Sequence, residues 1–298
     1  MNLCSNNPVV ERAQPWLGTL VSIRVEGLPS AEAHRAIAGA FAEIAAIHRL
    51  MSFHDPASDV SRLNREAALH AIAVHPWTYS VLAEAQQFSR ASDGCFDVSV
   101  AAELVSWGML PTPQGAHEPL RGTWRDIELF SGNRVAFRRP LWIDLGGIAK
   151  GFAADRAVER LRECGARYAV VNAGGDMRVE GENPERIRLA TPSQSDLTPV
   201  LELANGSVAG SSGTVQQKRR GKPACGPHID GSRRAPAPMD RFVCVVAERC
   251  VVADALTKVA MARGTESTEL LRRFSASAYL KDPGKQWLRI GTMETAAA

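Results

Sequence analysis

The 298-residue sequence predicts an α/β fold of the mixed α+β type, in which sheets with hairpins pack against helices. Two observations indicate this class. Segments with the periodicity of strands are interleaved with segments with the periodicity of helices along the whole chain. Several of the strands are separated only by short Gly- and Asn-containing turns, which are typical of hairpins. A regular doubly wound parallel sheet is therefore not expected.

The first part of the chain predicts a strand, a helix, a loop and a second helix. Residues 19–25 alternate apolar and polar side chains, which is typical of a half-buried strand. Ser30 opens the first helix. The segment 52–64 is rich in Pro, Asp and Ser and is predicted to be a loop, and the second helix follows over about residues 79–91. The apolar face of the first helix consists of Ile37, Phe41, Ile44, Ile47 and Met51.

The middle of the chain predicts a hairpin followed by a strand–helix–strand succession. Residues 125–139 form the hairpin, with Gly132 and Asn133 at its turn. Residues 141–145 read as a buried strand, and a helix follows from about Ile148 to Cys164, where Gly165 ends it. Residues 168–181 read as a strand, a glycine turn and a further strand.

The last part of the chain predicts a second hairpin, a long loop, a strand and a helix. Asn205 and Gly206 stand between two apolar runs of the segment 200–212, which indicates a hairpin. The segment 213–239 is irregular and basic and is predicted to be a loop. Residues 242–248 predict a strand, and residues 252–263 predict a helix that ends at Gly264.

Composition indicates one large or two ordinary globular domains. The sequence is 45% hydrophobic and 22% charged, which allows a sizeable core. A net charge of +3 is too small to indicate a nucleic-acid binder. The six cysteines are scattered and include no Cys-x-x-Cys pair, so a structural zinc site is not expected and we interpret them as mostly reduced, small apolar residues.

The N-terminal residues predict a cytoplasmic protein. They contain no basic segment followed by an apolar one, so no signal peptide is evident. No stretch approaches the about 18 apolar residues of a membrane span. A periplasmic or membrane-anchored location is the alternative if the true N-terminus lies upstream.

A carboxylate, two glycines and a lysine stand between the predicted strand 141–145 and the helix that follows it. Glycines at such a turn allow backbone N–H groups to approach a ligand, and the helix N-terminus favours phosphate. Lys150 would add a full charge, and Asp144 either caps the helix or accepts hydrogen bonds from a ligand ring N–H or a ribose hydroxyl. The spacing matches neither a phosphate-binding P-loop nor a dinucleotide fingerprint. A tight turn with a solvated lysine is the alternative.

Two further places carry candidate chemistry. Asp254 and Thr257 lie three residues apart on one face of a predicted helix, and their oxygens suit Mg²⁺. The alternative is an aspartate that only stabilises the helix dipole. His228 lies in a polar loop, where it is either a proton acceptor or a solvent-exposed side chain.

Taken in order, these segments resemble the FAD:protein FMN transferases, also called ApbE-like flavin transferases. The similarity covers about residues 15–265. The segments that carry it are LGT (17–19), MSFHDPASDVSRLN (51–64), DGCFDVSVAAELVSWG (93–108), IDLGGIAKGFAAD (143–155), NAGGD (172–176), the Ser-Gly step at 212–213, HIDGSRRAP (228–236) and ADALTKVAMARG (253–264).

The resemblance implies an ApbE-like fold with a central FAD cleft. It implies a single domain over residues 15–290, between an N-terminal extension (1–14) and a C-terminal tail (291–298). The implied activity is Mg²⁺-dependent transfer of FMN from FAD to a Thr or Ser hydroxyl of a target protein, with release of AMP. The implied acceptor protein is an electron-transfer subunit. Hydrolysis of FAD to FMN and AMP, or FAD binding without catalysis, are the alternatives.

The resemblance also implies site residues by position. His228 matches the base that deprotonates the acceptor hydroxyl. Mg²⁺ would be bound by the backbone oxygen of Gly147 and by Asp254 and Thr257. The implied flavin or nucleotide contacts are Leu17, His54, Cys95, Phe96, Asp97, Asp144, Lys150 and Ile229.

The sequence departs from the family pattern at several of these positions. Lys258 stands where the family has a threonine, so the Mg²⁺ site is weakened or the lysine supplies part of the charge of the cation. The segment that begins at His228 is shorter than its family counterpart. Leu17 replaces a methionine, and His54 replaces an aromatic residue.

Overall fold

The structure is a computed structural model that describes residues 9–189, 198–213 and 226–292. It consists of four sheets and seven α-helices within these residues, which confirms the predicted mixed class. The strands are β1 Val10–Trp16, β2 Thr19–Glu26, β3 Ile72–Ala73, β4 Ile127–Phe130, β5 Arg134–Phe137, β6 Tyr168–Ala173, β7 Asp176–Glu180, β8 Glu185–Arg188, β9 Val200–Leu203, β10 Gly206–Ser212, β11 Ile229–Asp230, β12 Ala235–Pro236, β13 Phe242–Ala247, β14 Ser277–Lys281 and β15 Leu288–Gly291. The helices are α1 Ser30–Met51, α2 Asp59–Glu66, α3 Pro76–Ala91, α4 Ala101–Ser106, α5 Ala149–Glu163, α6 Cys250–Arg263 and α7 Thr268–Arg273, with short 3₁₀ turns at Trp124–Asp126 and Gly264–Ser267.

An eight-stranded antiparallel sheet is the largest element of the fold. Its strand order is β1-β2-β6-β7-β10-β13-β14-β15. The edge strand β1 begins at Val10, ahead of residue 15 where the sequence predicts the domain to start, and the domain boundaries stay a prediction. A three-stranded sheet, β3-β5-β4, and two ribbons, β8-β9 and β11-β12, complete the strands described.

Alternating side chains give the large sheet two buried faces. On β6, Ala169, Val171 and Ala173 belong to the main core, which also contains α1, α5 and α6. Tyr168 and Val170 point to the opposite face, where the β8-β9 ribbon covers them. Because both faces are covered, β6 is apolar along nearly its whole length.

The long helix α1 packs its predicted apolar face into the main core. Ile37, Phe41, Ile44, Ile47 and Met51 are all buried, which confirms this part of the prediction. Although α1 has 22 residues, neither it nor another helix of the described chain combines the length and apolarity needed to cross a bilayer.

The predicted loop over 52–64 is wrong in its second half, where α2 begins at Asp59. The Ser58 side chain caps this helix by accepting a hydrogen bond from the N–H of Ser61 at 3.0 Å. Val60 and Leu63 are fully buried and anchor the helix. The serines and aspartates that favoured a loop are thus cap and first-turn residues.

The predicted strand over 141–145 is buried but pairs with no other strand of the described residues. The Asn64 side chain instead replaces a neighbouring strand, since its amide donates to the carbonyl oxygen of Ile143 at 3.0 Å and its oxygen accepts from the N–H of Ile143 at 2.8 Å. The N–H of Asp144 donates to the carbonyl oxygen of Val98 at 2.9 Å. Apolar composition predicted the burial correctly, but it does not specify which group satisfies the backbone.

The predicted hairpin over 200–212 is also wrong, because its two strands join different sheets. β9 pairs with β8, whereas β10 pairs with β7 and β13. Asn205 adopts a positive φ of 46° between them, and its side chain accepts a hydrogen bond from the N–H of Gly181 at 2.8 Å. The predicted loop over 213–239 contains the β11-β12 ribbon, and its residues 214–225 lie outside the described residues.

The remaining predicted elements are confirmed with small shifts at their ends. The β4-β5 hairpin turns at Gly132 and Asn133. Helix α3 begins earlier than predicted, because His75 caps it and a proline occupies its first position. Helices α5 and α6 are followed by Gly165 and Gly264, whose φ angles are 86° and 56°.

Four of the six cysteines are described, and all four are free thiols, as predicted. Cys95, Cys244 and Cys250 are buried, which suits small apolar side chains. Cys4 and Cys225 lie outside the described residues.

Helices α5 and α6 cross in close contact at Gly151. A Cβ atom at this position would lie 2.3 Å from the carbonyl oxygen of Cys250 and 2.8 Å from the Cβ of Asp254. Only glycine therefore allows the two helices to approach this closely.

Gly151→Ala is expected to lower the free energy of unfolding by about 1–3 kcal/mol, because the new methyl group must push α6 away from α5. The measurement is urea denaturation followed by circular dichroism. Gly39→Ala is the matched control, since its new Cβ would meet only the flexible side chain of Arg160, at 3.2 Å. The control should be neutral or more stable by up to about 1 kcal/mol, because alanine favours helix. Equal stability of the two variants would contradict the close-contact argument.

Candidate active site

Two adjoining cavities form a cleft beside the N-terminus of α5. The main cavity has a volume of about 410 Å³ and the side cavity about 300 Å³. They share Leu110, Asp144, Gly146 and Lys150 in their linings. Each volume is within the range of small-molecule sites.

The cleft brings together most of the residues that the sequence analysis singled out. Leu17 and His54 line the side cavity. Asp254 and Thr257 do not line either cavity, because both are fully buried behind the wall. The predicted residues that line the main cavity are Cys95, Phe96, Asp97, Asp144, Gly147, Lys150, His228 and Ile229.

A charge cluster of two lysines and two aspartates lies at the base of the cleft. Lys150, from the first turn of α5, pairs with Asp176 at the start of β7 and lies 3.8 Å from Asp254. Lys258, one turn after Asp254 on α6, pairs with it at 2.5 Å. Both aspartates are buried, with 1% and 0% of their surface exposed, whereas both lysines reach the main cavity.

The pKa values within the charge cluster depend on burial and on the charges of the neighbouring members. Burial raises the pKa of Asp254, but the nearby charges of Lys150 and Lys258 more than offset this and hold it below its usual value. Burial and the negative charge of Asp254 hold the pKa of Asp176 above its usual value. Burial lowers the pKa of Lys150, but Asp254 and Asp176 outweigh this effect and raise it. The lysines thus present positive charge to the cavity.

Backbone contacts between α5 and α6 fix the position of Asp254. Its second carboxylate oxygen accepts a hydrogen bond from the N–H of Gly151 at 3.0 Å. One helical turn further along α5, Asp155 accepts from the N–H groups of Cys250 and Val251 at 2.8 and 2.9 Å. Asp155 therefore satisfies the free N–H groups at the start of α6, and burial raises its own pKa to about 6.

The Thr257 hydroxyl is fully engaged by protein groups. It donates to the carbonyl oxygen of Asp254 at 2.7 Å. It accepts from the hydroxyl of Ser211 at 2.9 Å and from the ammonium group of Lys258 at 3.0 Å. A hydroxyl has one proton and two lone pairs, so this one has no further hydrogen-bonding capacity.

Asp144 lies at the junction of the two cavities. Its carboxylate accepts hydrogen bonds from the N–H groups of Gly146 and Leu145, while burial holds its pKa above the usual value. The sequence left open whether Asp144 caps α5. Ile148 occupies the cap position, and no side chain in the described part of the chain caps this helix. Asp144 therefore faces the cleft rather than serving as a cap.

His228 lines the main cavity immediately before β11. Its carbonyl oxygen accepts from the N–H of Ala237 at 2.9 Å, and its ring hydrogen-bonds to the backbone of Ser212. Burial, together with the positive charges of Lys258 and Lys150, lowers its pKa to about 4. The imidazole is therefore neutral at neutral pH and has a lone pair that can accept a proton.

An apolar surface forms the wall near His228. Ile229 packs with Val100 and Leu104 in a small hydrophobic cluster. Phe96, on the same cavity, packs edge-on against Phe88 with ring centroids 5.9 Å apart. A flat ring system bound in the main cavity would contact this surface.

Asp97 lines the cavity, but its carboxylate is committed to protein groups. It accepts from Arg234 at 3.1 Å, from the N–H and hydroxyl of Ser99 at 2.8 and 2.7 Å, and from the N–H of Trp124 at 3.2 Å. Arg234 also pairs with Glu103 at 3.2 Å. Because Arg234 follows His228 closely in the chain, these contacts tie the histidine segment to the cavity wall.

Cys95 is a buried thiol in the wall of the main cavity. Burial and the neighbouring charge of Asp230 raise its pKa to about 12. The nucleophilic form of cysteine is the thiolate, so Cys95 is not suited to nucleophilic chemistry.

The side cavity is closed by the turn between β1 and β2. Leu17 and Gly18 have φ angles of 55° and 73°, which gives a tight hairpin turn with an unusual conformation for leucine. The turn packs on the β6-β7 turn, since a Cβ on Gly174 would lie 2.4 Å from the hydroxyl of Thr19. His54 is exposed on the lining of the same cavity.

Two parts of the site were not predicted from the sequence. Asp176 was not named as a site residue, although it directly follows the glycine turn of the NAGGD segment that carries part of the family resemblance. The apolar wall formed by Val100, Leu104, Met109 and Leu110 gave no comparable signal. Its apolar residues look like those of any buried core segment.

The chain is similar to known proteins in sequence and in fold. The sequence model of the ApbE family matches residues 17–280. The chain is 29% identical over 213 residues to the FAD:protein FMN transferase of Rhodobacter capsulatus, covering 67% of this chain and 41% of that protein. It is 29% identical over 185 residues to the FAD:protein FMN transferase of Treponema pallidum, covering 57% of this chain and 51% of that protein. The chain thus spans about half the length of these two relatives.

A solved structure with a similar fold covers nearly the whole chain. The crystal structure of the ApbE protein from Thermotoga maritima superimposes with a TM-score of 0.81 at 26% identity. The superposition includes 95% of this chain and 97% of that one. This similarity confirms the fold that the sequence resemblance implied.

His228 is expected to titrate near pH 4, because burial and two nearby lysines disfavour its protonated form. The measurement is an NMR titration of the imidazole, with the signal identified by its loss in His228→Asn. The unfolded chain takes up a proton on this residue near pH 6.5 while the folded chain does not. The free energy of unfolding should therefore decrease as the pH falls from about 6.5 towards 4, and less so in the variant. A midpoint near 6.5 would contradict the described environment.

Proposed function

Since the chain belongs to the ApbE family, we propose that it transfers the FMN part of FAD to a Ser or Thr hydroxyl of an acceptor protein and releases AMP. The observation that carries the proposal is the convergence of the predicted nucleotide-binding and base residues, from separate segments of the chain, on one cleft. The acceptor is an electron-transfer subunit, as the resemblance implies.

The lining of the cleft supports FAD as the substrate. The apolar wall around Ile229 and Phe96 suits the isoalloxazine ring, and the Asp144 carboxylate suits a ring N–H or ribose hydroxyl. Lys150 and Lys258 suit the diphosphate, since both present ammonium groups to the main cavity.

The proposed reaction is a phosphoryl-type displacement. The acceptor hydroxyl oxygen forms a bond to the phosphorus of the FMN part. The bond from that phosphorus to the oxygen bridging to the AMP phosphate breaks, and AMP leaves with the bridging oxygen. The hydroxyl proton passes to a ring nitrogen of His228. Such a reaction depends on in-line placement and charge stabilisation more than on covalent help from the protein.

His228 is suited to the base role because it is neutral in the free protein. Its low pKa arises from burial and from the two lysines rather than from a committed ion pair. The negative charge of a bound diphosphate would offset the lysines and raise the basicity of the imidazole at the moment when a base is needed.

Magnesium, which the resemblance implies, fits these residues poorly. The predicted ligands Asp254 and Thr257 lie side by side, but Lys258 donates to both of them. The proposed reaction therefore includes no step that depends on a metal.

Incubation with FAD and an acceptor protein is expected to increase the acceptor mass by FMN minus one water. The acceptor used is the protein that the Rhodobacter capsulatus relative modifies, with that enzyme as positive control. Mass spectrometry of the acceptor and chromatography of the nucleotides provide the readouts. Release of FMN and AMP without a mass gain would indicate hydrolysis, and intact FAD bound to the protein would indicate a binding protein; either result contradicts the proposed transfer.

His228→Asn is expected to slow transfer by about 10²–10⁴-fold, because a positioned base contributes on that order. FAD affinity, measured by flavin fluorescence, should change little. His70→Asn is the matched control, since His70 is exposed and lies outside both cavities. An unchanged transfer rate in His228→Asn would remove this residue from the mechanism.

A further inference from the structure

Lys258 lies where the family pattern implies a divalent cation. We propose that its ammonium group takes the place of that ion, so that the protein binds the diphosphate of FAD without a metal. The inference rests on the proposed function, because it names the group that neutralises part of the charge of the substrate.

Two of the predicted metal ligands, Asp254 and Thr257, contact the ammonium group of Lys258, and the third, Gly147, lies beside the aliphatic part of its side chain. The ammonium group lies 2.5 Å from a carboxylate oxygen of Asp254 and 3.0 Å from the hydroxyl of Thr257. A Cβ placed on Gly147 would lie 3.4 Å from the Cε of Lys258. The lysine therefore occupies the space that these residues would otherwise leave for an ion.

The side-chain oxygens of Asp254 and Thr257 are already hydrogen-bonded and have few lone pairs left to bind a metal. The Thr257 hydroxyl is saturated by Asp254, Ser211 and Lys258. One oxygen of Asp254 accepts from Lys258, and the other accepts from the N–H of Gly151. Mg²⁺ requires six near-octahedral ligands, and these two side chains are already paired.

A magnesium ion and the lysine cannot share the position. Mg²⁺ binds oxygen at about 2.0–2.1 Å, so an ion that used the same lone pairs of Asp254 and Thr257 would have to displace the ammonium group that now donates hydrogen bonds to them. The two are also alike in charge. Lys258 has only 14% of its side chain exposed and is packed against the wall, so leaving the position would break its pair with a fully buried carboxylate.

The ammonium group is placed to contact an anion as well as the aspartate. Lys258 lines the main cavity together with Lys150, His228 and the glycine turn. An ammonium group has three donors, and Asp254 and Thr257 accept from two of them, which leaves one for a phosphate oxygen. The lysine carries one charge where Mg²⁺ would carry two, so it neutralises the diphosphate less completely.

Replacing Lys258 by threonine restores the residue that the family has at this position. Lys258→Thr removes the ammonium group. This frees the carboxylate oxygen of Asp254 that accepted from it and one lone pair of the Thr257 hydroxyl. The new hydroxyl and the carbonyl oxygen of Gly147 add two more oxygens, which is a ligand set suited to Mg²⁺. The variant is therefore expected to acquire a metal requirement that the natural sequence lacks.

The experiment measures FAD affinity by flavin fluorescence in EDTA and in millimolar Mg²⁺, together with Mn²⁺ binding by electron paramagnetic resonance. The natural protein should bind FAD with affinities within about twofold in the two conditions and should bind no Mn²⁺ in the cleft. Lys258→Thr should lose at least about tenfold in affinity in EDTA, regain it in Mg²⁺ and bind one Mn²⁺. Lys285→Thr is the matched control, because Lys285 is 73% exposed and pairs with Asp282, outside both cavities.

The outcomes separate this inference from the proposed function. If the natural protein binds FAD only in Mg²⁺, the inference fails and the transfer proposal stands. If it binds no FAD in either condition, both fail. If Lys258→Thr binds FAD equally well in EDTA and in Mg²⁺, the inference also fails. Should that variant not fold, the comparison of the natural protein in EDTA and Mg²⁺ and its Mn²⁺ spectrum decide the question alone.

Discussion

The pairing of two buried aspartates with two lysines is the interaction on which the cleft depends. Asp176 and Asp254 come from different parts of the chain and lie within the range of each other's charge. Without Lys150 and Lys258, each would be an uncompensated charge in the interior, which typically costs about 3–5 kcal/mol. Helix α5, helix α6 and the β6-β7 turn must therefore meet where these four side chains can pair, and the close contact at Gly151 makes that meeting possible.

Most of the fold could be predicted from the sequence because periodicity reports burial directly. The faces of α1 and β6 follow the 3.6- and 2-residue repeats and are buried accordingly. Prediction failed where the structure depends on which group forms hydrogen bonds with the backbone. Residues 141–145 are as apolar as a strand, but the Asn64 side chain satisfies their backbone. The turn at Asn205 has the residues of a hairpin, but β9 pairs with β8 rather than with β10.

The site was predicted mainly through family resemblance, which identifies positions but not their partners. Of the positions it indicated, Lys150 and His228 line the main cavity and Asp254 lies buried behind its wall, while their roles stay predictions. It also implied a ligand contact at Asp97, which lines the main cavity, but it gave no sign that Arg234 and Ser99 bind the carboxylate of Asp97. The role of Asp176 depends on a lysine 26 residues earlier in the chain, and only the packing of α5 against the β6-β7 turn brings the two together.

The charge cluster as a whole is neutral, since its two lysines cancel its two aspartates. By itself the cluster therefore adds little long-range attraction for anions in solution. Discrimination begins only at contact, when phosphate oxygens compete with Asp176 and Asp254 for hydrogen bonds from the lysines. Such an exchange of partners favours a phosphate group over chloride, because a phosphate offers several oxygens and both ammonium groups lie near one carboxylate oxygen of Asp254, Lys258 at 2.5 Å and Lys150 at 3.8 Å.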